Sequence, residues 1–379
     1  MDFATKCVHG IGANDATGSV SPAIYISSTF AHPRLGETTG FAYTREANPT
    51  RQRLEKLVAS LENGLDALAF ASGMAAVDAV LRLFKPGDHI ITGNDLYGGS
   101  FRLFHRYEEQ NGLSFTVVHT SKLEEITSAI NPHTKAIYLE TPTNPTMEIS
   151  DLRAISKIAK ENNLLVIVDN TFLTPYFQKP LDLGADIIIH SGTKYLAGHN
   201  DVLAGFTIVK DEKIAENLRL IYKSTGACLG ALDAWLVIRG IKTLPLRMEQ
   251  HQRNAQAIAH WLQKQAKVKY VLYPGLEEHP GYAVNASQTT GFGGMISFAV
   301  DSADTARQLL EKVKLIQFAE SLGGTESLLT YPIRQTHADL TPEECAEKGI
   351  TDCLLRLSTG IEATDDLIAD LEQAFAALE

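Results

Sequence analysis

Three apolar runs in this chain each end in side chains that can do chemistry. Leu-Leu-Val-Ile-Val runs into Asp169-Asn170-Thr171, Asp-Ile-Ile-Ile-His into Ser191-Gly192-Thr193-Lys194, and Lys-Ala-Ile-Tyr-Leu into Glu140-Thr-Pro-Thr-Asn144-Pro145. Open α/β sheets bind ligands beyond the carboxyl ends of their strands, so these three ends address one crevice. A lysine there can form an imine with an aldehyde once its amine is desolvated or set beside another cation. Taken alone, Lys194 is as well explained as an exposed loop charge, and Asp169 as a helix cap or metal ligand. The pair says more. A carboxylate on a neighbouring strand end suits the protonated nitrogen of a pyridine ring, which turns that ring into an electron sink. Phe70-Ala-Ser72-Gly73-Met74 opens a helix, where free N–H groups and the helix dipole favour a phosphate. Ser-Gly before a helix is also a common cap, so this signal is weak by itself. The hydroxyls of Ser191 and Thr193 add donors from the lysine loop.

These groups need a frame. From about residue 60 to 210, strand-like runs alternate with helical patterns: 89–92, 114–118, 135–139, 164–168, 186–189 and 205–209. Most are short, continuous and β-branched, as expected of strands buried on both faces of a mostly parallel sheet. Met74, Val77, Leu81 and Phe84 recur at helical spacing, as do Leu152, Ile155 and Ile158 after the N-cap candidates Ser150 and Asp151. The fold class is α/β with helices on both faces of the sheet. Composition changes near residue 243. Beyond it a long helix (244–266), separated strands at 270–273, 294–300 and 353–358, and a final helix (365–378) predict a smaller α+β domain. The expected division is an extended amino-terminal arm over 1–55, an α/β domain over 56–243 and a carboxyl-terminal domain over 244–379. The length fits two domains, and no internal repeat is present.

Composition narrows the classes. With 34 Lys plus Arg against 45 Asp plus Glu, the chain carries a net charge of −11 and no basic cluster, which argues against a nucleic-acid surface. The amino terminus, MDFATKCVHGIGAND, lacks the apolar core of a secretory signal, and no run is long enough to span a bilayer. Cys7, Cys228, Cys345 and Cys353 are scattered without metal-ligand spacing, which points to reduced thiols in a cytoplasmic protein and no metal site. A nicotinamide dehydrogenase would want GxGxxG after an early strand, and none appears.

The motifs resemble a known family. Ser191-Gly-Thr-Lys194-Tyr-Leu-Ala-Gly198-His199, Val168-Asp169-Asn170-Thr171-Phe172 and Thr141-Pro-Thr-Asn144-Pro145 resemble the cystathionine γ-lyase/γ-synthase/β-lyase family of trans-sulfuration enzymes. So do Tyr43-Thr44-Arg45, Asn48-Pro49-Thr50-Arg51, Ala71-Ser-Gly73-Met74-Ala75, Leu96-Tyr97-Gly98-Gly99, Glu320-Ser321-Leu322-Gly323-Gly324 and Arg356-Leu-Ser-Thr359-Gly360-Ile-Glu362. The resemblance covers nearly the whole chain in order. It implies a fold-type-I pyridoxal 5′-phosphate (PLP) enzyme with Lys194 carrying the cofactor and moving protons between substrate carbons. Asp169 would pair with the ring nitrogen, and Tyr97 would stack on the ring and help deprotonate the incoming amino group. Gly73, Met74, Ser191 and Thr193 would bind the phosphate. Tyr43 and Arg45 would reach the phosphate of a neighbouring subunit in a homotetramer built as a dimer of dimers. Arg356 would grip the substrate α-carboxylate, with Asn144 and Ser321 nearby; a guanidinium suits that role because it can bind a carboxylate through two parallel hydrogen bonds.

Within the family, Glu320 resembles the γ-lyase and γ-synthase type and would meet the distal ammonium of cystathionine. Gly99 stands where methionine γ-lyases typically carry a cysteine. The resemblance therefore implies cleavage of cystathionine by γ-elimination, with γ-synthase or β-lyase activity as the alternatives. A non-catalytic PLP-binding sensor would need an appended DNA-binding segment, for which this acidic chain leaves no room. Departures from the pattern at Gly192, at Tyr331-Pro-Ile-Arg334-Gln335 and at Glu46-Ala47 bear on substrate fit and remove none of the cofactor groups.

Overall fold

A computed structural model describes residues 1–10, 17–338 and 341–378. The apolar runs form a seven-stranded sheet: β1 (Asp66–Phe70), β2 (His89–Gly93), β3 (Ser114–Val118), β4 (Thr134–Glu140), β5 (Leu165–Asp169), β6 (Ile187–Ser191) and β7 (Gly205–Val209). Their order is β1-β7-β6-β5-β4-β2-β3. The stretch from β6 to β3 is parallel, and β7 runs antiparallel to both of its neighbours.

Alternate residues of each central strand enter two different cores, which is why these strands read as continuous apolar runs rather than alternating ones. Ile137, Leu139, Val166, Val168 and Ile188 pack on one side with the helix Leu152–Glu161. Ala136, Tyr138, Ile167, Ile187 and Ile189 pack on the other with Gly73–Leu81 and Gly98–Asn111. Strand β1 was not expected. Asp-Ala-Leu-Ala-Phe has no β-branched residue, and only tertiary pairing with β7 makes it a strand.

The smaller sheet holds β8 (Val268–Leu272), β9 (Met295–Val300), β10 (Gln317–Phe318), β11 (Leu328–Thr330) and β12 (Leu354–Ser358), in the order β10-β11-β12-β9-β8. Helices Leu244–Leu262, Ala303–Lys312 and Thr364–Ala376 cover it through Ile258, Leu309 and Leu371. The helix expected over 244–266 stops at Leu262 and serves both cores. Its start, Leu244 and Met248, packs into the first core, and Ala255, Ile258 and Leu262 pack beneath the small sheet. The compositional change near 243 thus coincides with a shared helix and not with a linker.

The expected arm needs correction. Residues 1–55 are not extended throughout. Phe3–His9 is a helix whose first turn is capped by Asp2, and Cys7 is buried in the same core as Leu54 and Leu57. At seven residues it is too short to show a period. Pro49–Leu61 is also a helix, with Asn48 as N-cap and Pro49 in its first turn, the ordinary helix-start pair. Between them, residues 17–48 run largely without regular structure, tied by a bridge between Thr29 and Tyr43. Residues 11–16 of the expected arm lie outside the described residues.

Candidate active site

The ends of β5 and β6 are joined through one hydroxyl. Thr171 Oγ donates to Asp169 Oδ1 at 2.5 Å and accepts the Ser191 N–H at 2.8 Å. The Thr171 N–H also donates to Oδ1, at 3.0 Å. Both bonds converge on Oδ1, and no donor among the described residues takes Oδ2. Burial pushes the Asp169 carboxyl up, and the Thr171 bonds oppose it. Against Ser191 lies the start of the helix Gly73–Leu81, capped by Ser72, whose Oγ accepts the Ala75 N–H. Gly73 packs closely here: a Cβ would meet Ser191 Cβ at 3.0 Å, tighter than ordinary contact. The helix N-terminus and the lysine loop therefore form one cradle of N–H groups and hydroxyls.

Lys194 is largely buried, and its Nζ donates to Ser321 Oγ at 2.7 Å. Burial lowers its amine to about 8; nearby Arg356 acts in the same direction and Glu320 opposes. Thr193 Oγ accepts from Ala204 N at 3.0 Å and donates to Ala204 O at 3.3 Å, pinning the loop to the start of β7. Alanine at Gly192 would drive a Cβ to 2.4 Å from the Phe206 ring, so the departure there fits this core.

Arg356, on β12, is 1% exposed and joins the small sheet to the large one. Its guanidinium donates to Asn144 Oδ1 at 2.8 Å, Ser321 O at 3.0 Å and Thr330 Oγ at 3.3 Å, while Nε has no partner among the described residues. Burial lowers it to about 10. Ser321 takes a left-handed backbone, with φ +88°, a cost that non-glycine residues carry mostly at working sites. Glu320 beside it is exposed at the rim. Tyr97, which precedes the helix Gly98–Asn111, presents a half-exposed ring.

A cavity of about 380 Å3 collects every expected site residue except Tyr43 and Arg45, and adds Ser100, Glu140, Thr171, Leu203 and Thr336. A larger surface groove, about 460 Å3 beside Arg82 and Tyr107, has no comparable set of groups. Tyr43 and Arg45 are exposed and do not line this cavity. Arg45 donates to the Lys223 carbonyl, and its guanidinium lies 5.5 Å from the Tyr43 ring.

Two groups escaped the sequence. Thr171 had a local signal, because Asp-x-Thr is a turn in which the carboxylate binds the backbone two residues on. The buried pair Glu62 Oε1 and His190 Nε2, at 2.6 Å, braces the same strand ends, and Asn170 Nδ2 donates to that oxygen at 2.9 Å. Glu62 and His190 lie far apart in sequence, and nothing local announces them.

The donor set fits PLP: a lysine amine for its aldehyde, Asp169 Oδ2 for its ring nitrogen, and the Gly73–Ser191 cradle for its phosphate. Fold and site together define a PLP-dependent enzyme. The family model of "Cys/Met metabolism PLP-dependent enzyme" matches residues 4–376, and the chain belongs to this family. It is 49% identical to the cystathionine γ-lyase of Bacillus subtilis, over 99% of both chains. It is 48% identical to the cystathionine γ-synthase of Haemophilus influenzae, covering 98% of this chain and 96% of that one. It is 47% identical to a cystathionine β-lyase of Lactococcus lactis, over 98% of both. The solved structure of the Lactobacillus plantarum cystathionine γ-lyase complexed with L-serine superposes with a TM-score of 0.97 at 45% identity, covering 100% of this chain and 99% of that one.

Proposed function

We propose that this enzyme cleaves cystathionine by γ-elimination, converting it with one water to cysteine, 2-oxobutanoate and ammonia. The observation that carries the proposal is a cavity lined by both Arg356 and Glu320. Cystathionine carries an ammonium and a carboxylate at each end, and Arg356 matches the carboxylate of the reacting end while Glu320 matches the ammonium of the distal one. PLP, when bound, supplies the sink for negative charge at the substrate α-carbon. The chain's own groups do the rest. Arg356 and Asn144 orient the α-carboxylate, with Ser321 beside them. Lys194 holds the cofactor and, once free, moves protons between substrate carbons. Asp169 would hold the protonated ring nitrogen and Tyr97 the ring. Gly73, Met74, Ser191 and Thr193 bind the phosphate.

Product analysis from cystathionine tests the proposal. Cysteine with 2-oxobutanoate is expected; homocysteine with pyruvate would make the enzyme a β-lyase. Net formation of cystathionine from an O-acyl-homoserine and cysteine would make it a γ-synthase. Relatives of both kinds, at 47% and 48% identity, keep these two readings in the test. If Glu320 meets the distal ammonium, Glu320→Ala lowers kcat/KM for cystathionine about 3- to 5-fold more than for cysteine, the upper range for one exposed charge pair. Equal losses on both substrates would assign Glu320 to the scaffold.

We infer also that the protein is a homotetramer, a dimer of dimers, with residues 1–55 contacting a neighbour, 56–243 forming the PLP-binding α/β domain and 244–379 the carboxyl-terminal α+β domain. Exposed apolar side chains at Val20, Ile26, Leu203 and Leu246 support association. The exposed Tyr43 and Arg45 support a site completed by the partner's phosphate contacts. A two-fold interface exchanges such contacts reciprocally. Arg45→Ala and Lys194→Ala proteins, each poorly active alone, are therefore expected to recover about a quarter of wild-type activity after equimolar subunit exchange, one competent site in half of the dimers. Exchange confirmed by mass without recovery would place the arm on its own subunit. Four unpaired cysteines support a reducing, cytoplasmic location.

A further inference from the structure

Three carboxyl groups share the wall below Tyr97. Glu140 ends β4 opposite Asp169 of β5 in the parallel ladder, so the two side chains leave the same face, and both line the cavity. Asp95, in the turn after β2, is fully buried, and its Oδ2 accepts from Thr146 N at 2.9 Å and Thr146 Oγ at 2.5 Å. The cation of this wall, Arg356, directs its donors to Asn144, Ser321 and Thr330. Glu140 has no ion-pair partner among the described residues. Tyr138 on the same strand is a buried phenol pushed well above its usual range, and around Asp95 stand His337, held below its usual range by burial, and Lys348, whose amine donates to the Asn94 carbonyl. Lys348 and His337 serve Asp95 and leave Glu140 and Asp169 side by side without an ion pair, and two such buried carboxyls on adjacent strand ends cannot both stay ionised.

Glu140 does touch one element of the site. Its Oε2 accepts the Tyr97 N–H at 3.1 Å. Tyr97 has no side-chain cap to the helix it precedes, so this bond fixes the backbone from which its ring enters the cavity. Burial drives the Glu140 carboxyl well above the usual range; Asp169 and Asp95 add to this, and the Tyr97 N–H and Arg356 oppose it.

We propose that Glu140 is a positioning residue carried as a neutral carboxylic acid, which fixes Tyr97 through its backbone and leaves Asp169 as the anion facing the cofactor ring. The inference rests on the assignment of Tyr97 and Asp169 to the cofactor given above. Two carboxyl groups on adjacent strand ends thereby take different protonation states and different tasks.

Glutamine copies a neutral acid in shape, offers the same acceptor to Tyr97 and carries no charge. Glu140→Gln holoenzyme is therefore expected to hold its cofactor, to show the wild-type midpoint when the cofactor's absorbance is titrated with pH, and to turn over within about 3-fold of wild type. Glu140→Ala leaves the Tyr97 N–H unpaired and is expected to lose about 10- to 100-fold in turnover with cofactor content unchanged. A Gln variant whose midpoint moves by about one pH unit or more, as removal of a neighbouring charge would cause, overturns the proposal. So does a Gln variant that cannot hold the cofactor, or an Ala variant with wild-type turnover. If the Ala variant does not fold, the Gln titration decides. That titration needs no substrate, so a wrong choice of substrate shows separately, as wild-type enzyme releasing no cysteine from cystathionine.

Discussion

Lys194→Ala is expected to yield a folded protein with no covalent cofactor and turnover lowered at least ~1,000-fold, the scale seen when a nucleophile or base that cannot be replaced is removed. The expectation comes from position. Lys194 follows β6 directly, its amine reaches the cavity beside Ser321, and no other lysine lines that cavity. Folding should survive, because burial of this amine costs free energy instead of supplying it, and apo Lys194→Ala should melt no lower than the apo wild type. Reduction of wild-type holoenzyme with borohydride should leave the pyridoxyl group on the peptide containing Lys194; a label elsewhere would sink the assignment. The amine's value of about 8 adds a pH signature. Only the neutral amine attacks an aldehyde, and its fraction rises as pH climbs through that value. Cofactor attachment to the apo protein should therefore speed up through about pH 8, whereas an ordinary lysine would keep accelerating until above pH 10.

Much of this site was legible because its groups stand at strand ends. Asp169, Ser191 and Asn144 could be placed on one crevice from the sequence, since a buried apolar run followed by polar residues marks a carboxyl-terminal edge. Arg356 and Ser321 were different. They belong to the second domain, and only the family pattern pointed to them; their role in joining the sheets depends on a contact between Arg356 and Asn144 that no local signal encodes. β1 was illegible for a related reason, being made a strand by its partner. Glu140 was visible at its strand end, yet its task depends on Asp95, Asp169 and Tyr97 meeting in space. The short helix Pro342–Glu347, with its capping box of Thr341 and Glu344, was missed although its residues carry the usual helix-start pattern.

Asp169→Ala is expected to lose activity well before it loses the fold. The side chain sits on the end of β5 and contributes no apolar packing, and the Thr171 hydroxyl that bonds Oδ1 also keeps its bond from the Ser191 N–H. What it supplies is charge. Oδ2 has no protein donor among the described residues, so it would be free to accept from the protonated ring nitrogen of a bound cofactor. An anion there raises the nitrogen's proton affinity and strengthens the sink. Loss of a preorganised contact of this kind is worth ~2–4 kcal/mol in the transition state. That corresponds to a fall of about 30- to 1,000-fold in turnover. Because the contact matters most as charge moves into the ring, kcat and kcat/KM should fall together and KM should change little. Asp169→Asn separates charge from shape: it keeps an acceptor for Thr171 but no negative charge, and should lose nearly as much as the alanine variant. Both should still be labelled at Lys194 by borohydride. A variant that carries the cofactor on Lys194 and turns over at the wild-type rate would remove Asp169 from the chemistry, and an Asn variant with full activity beside a dead Ala variant would reduce its role to geometry.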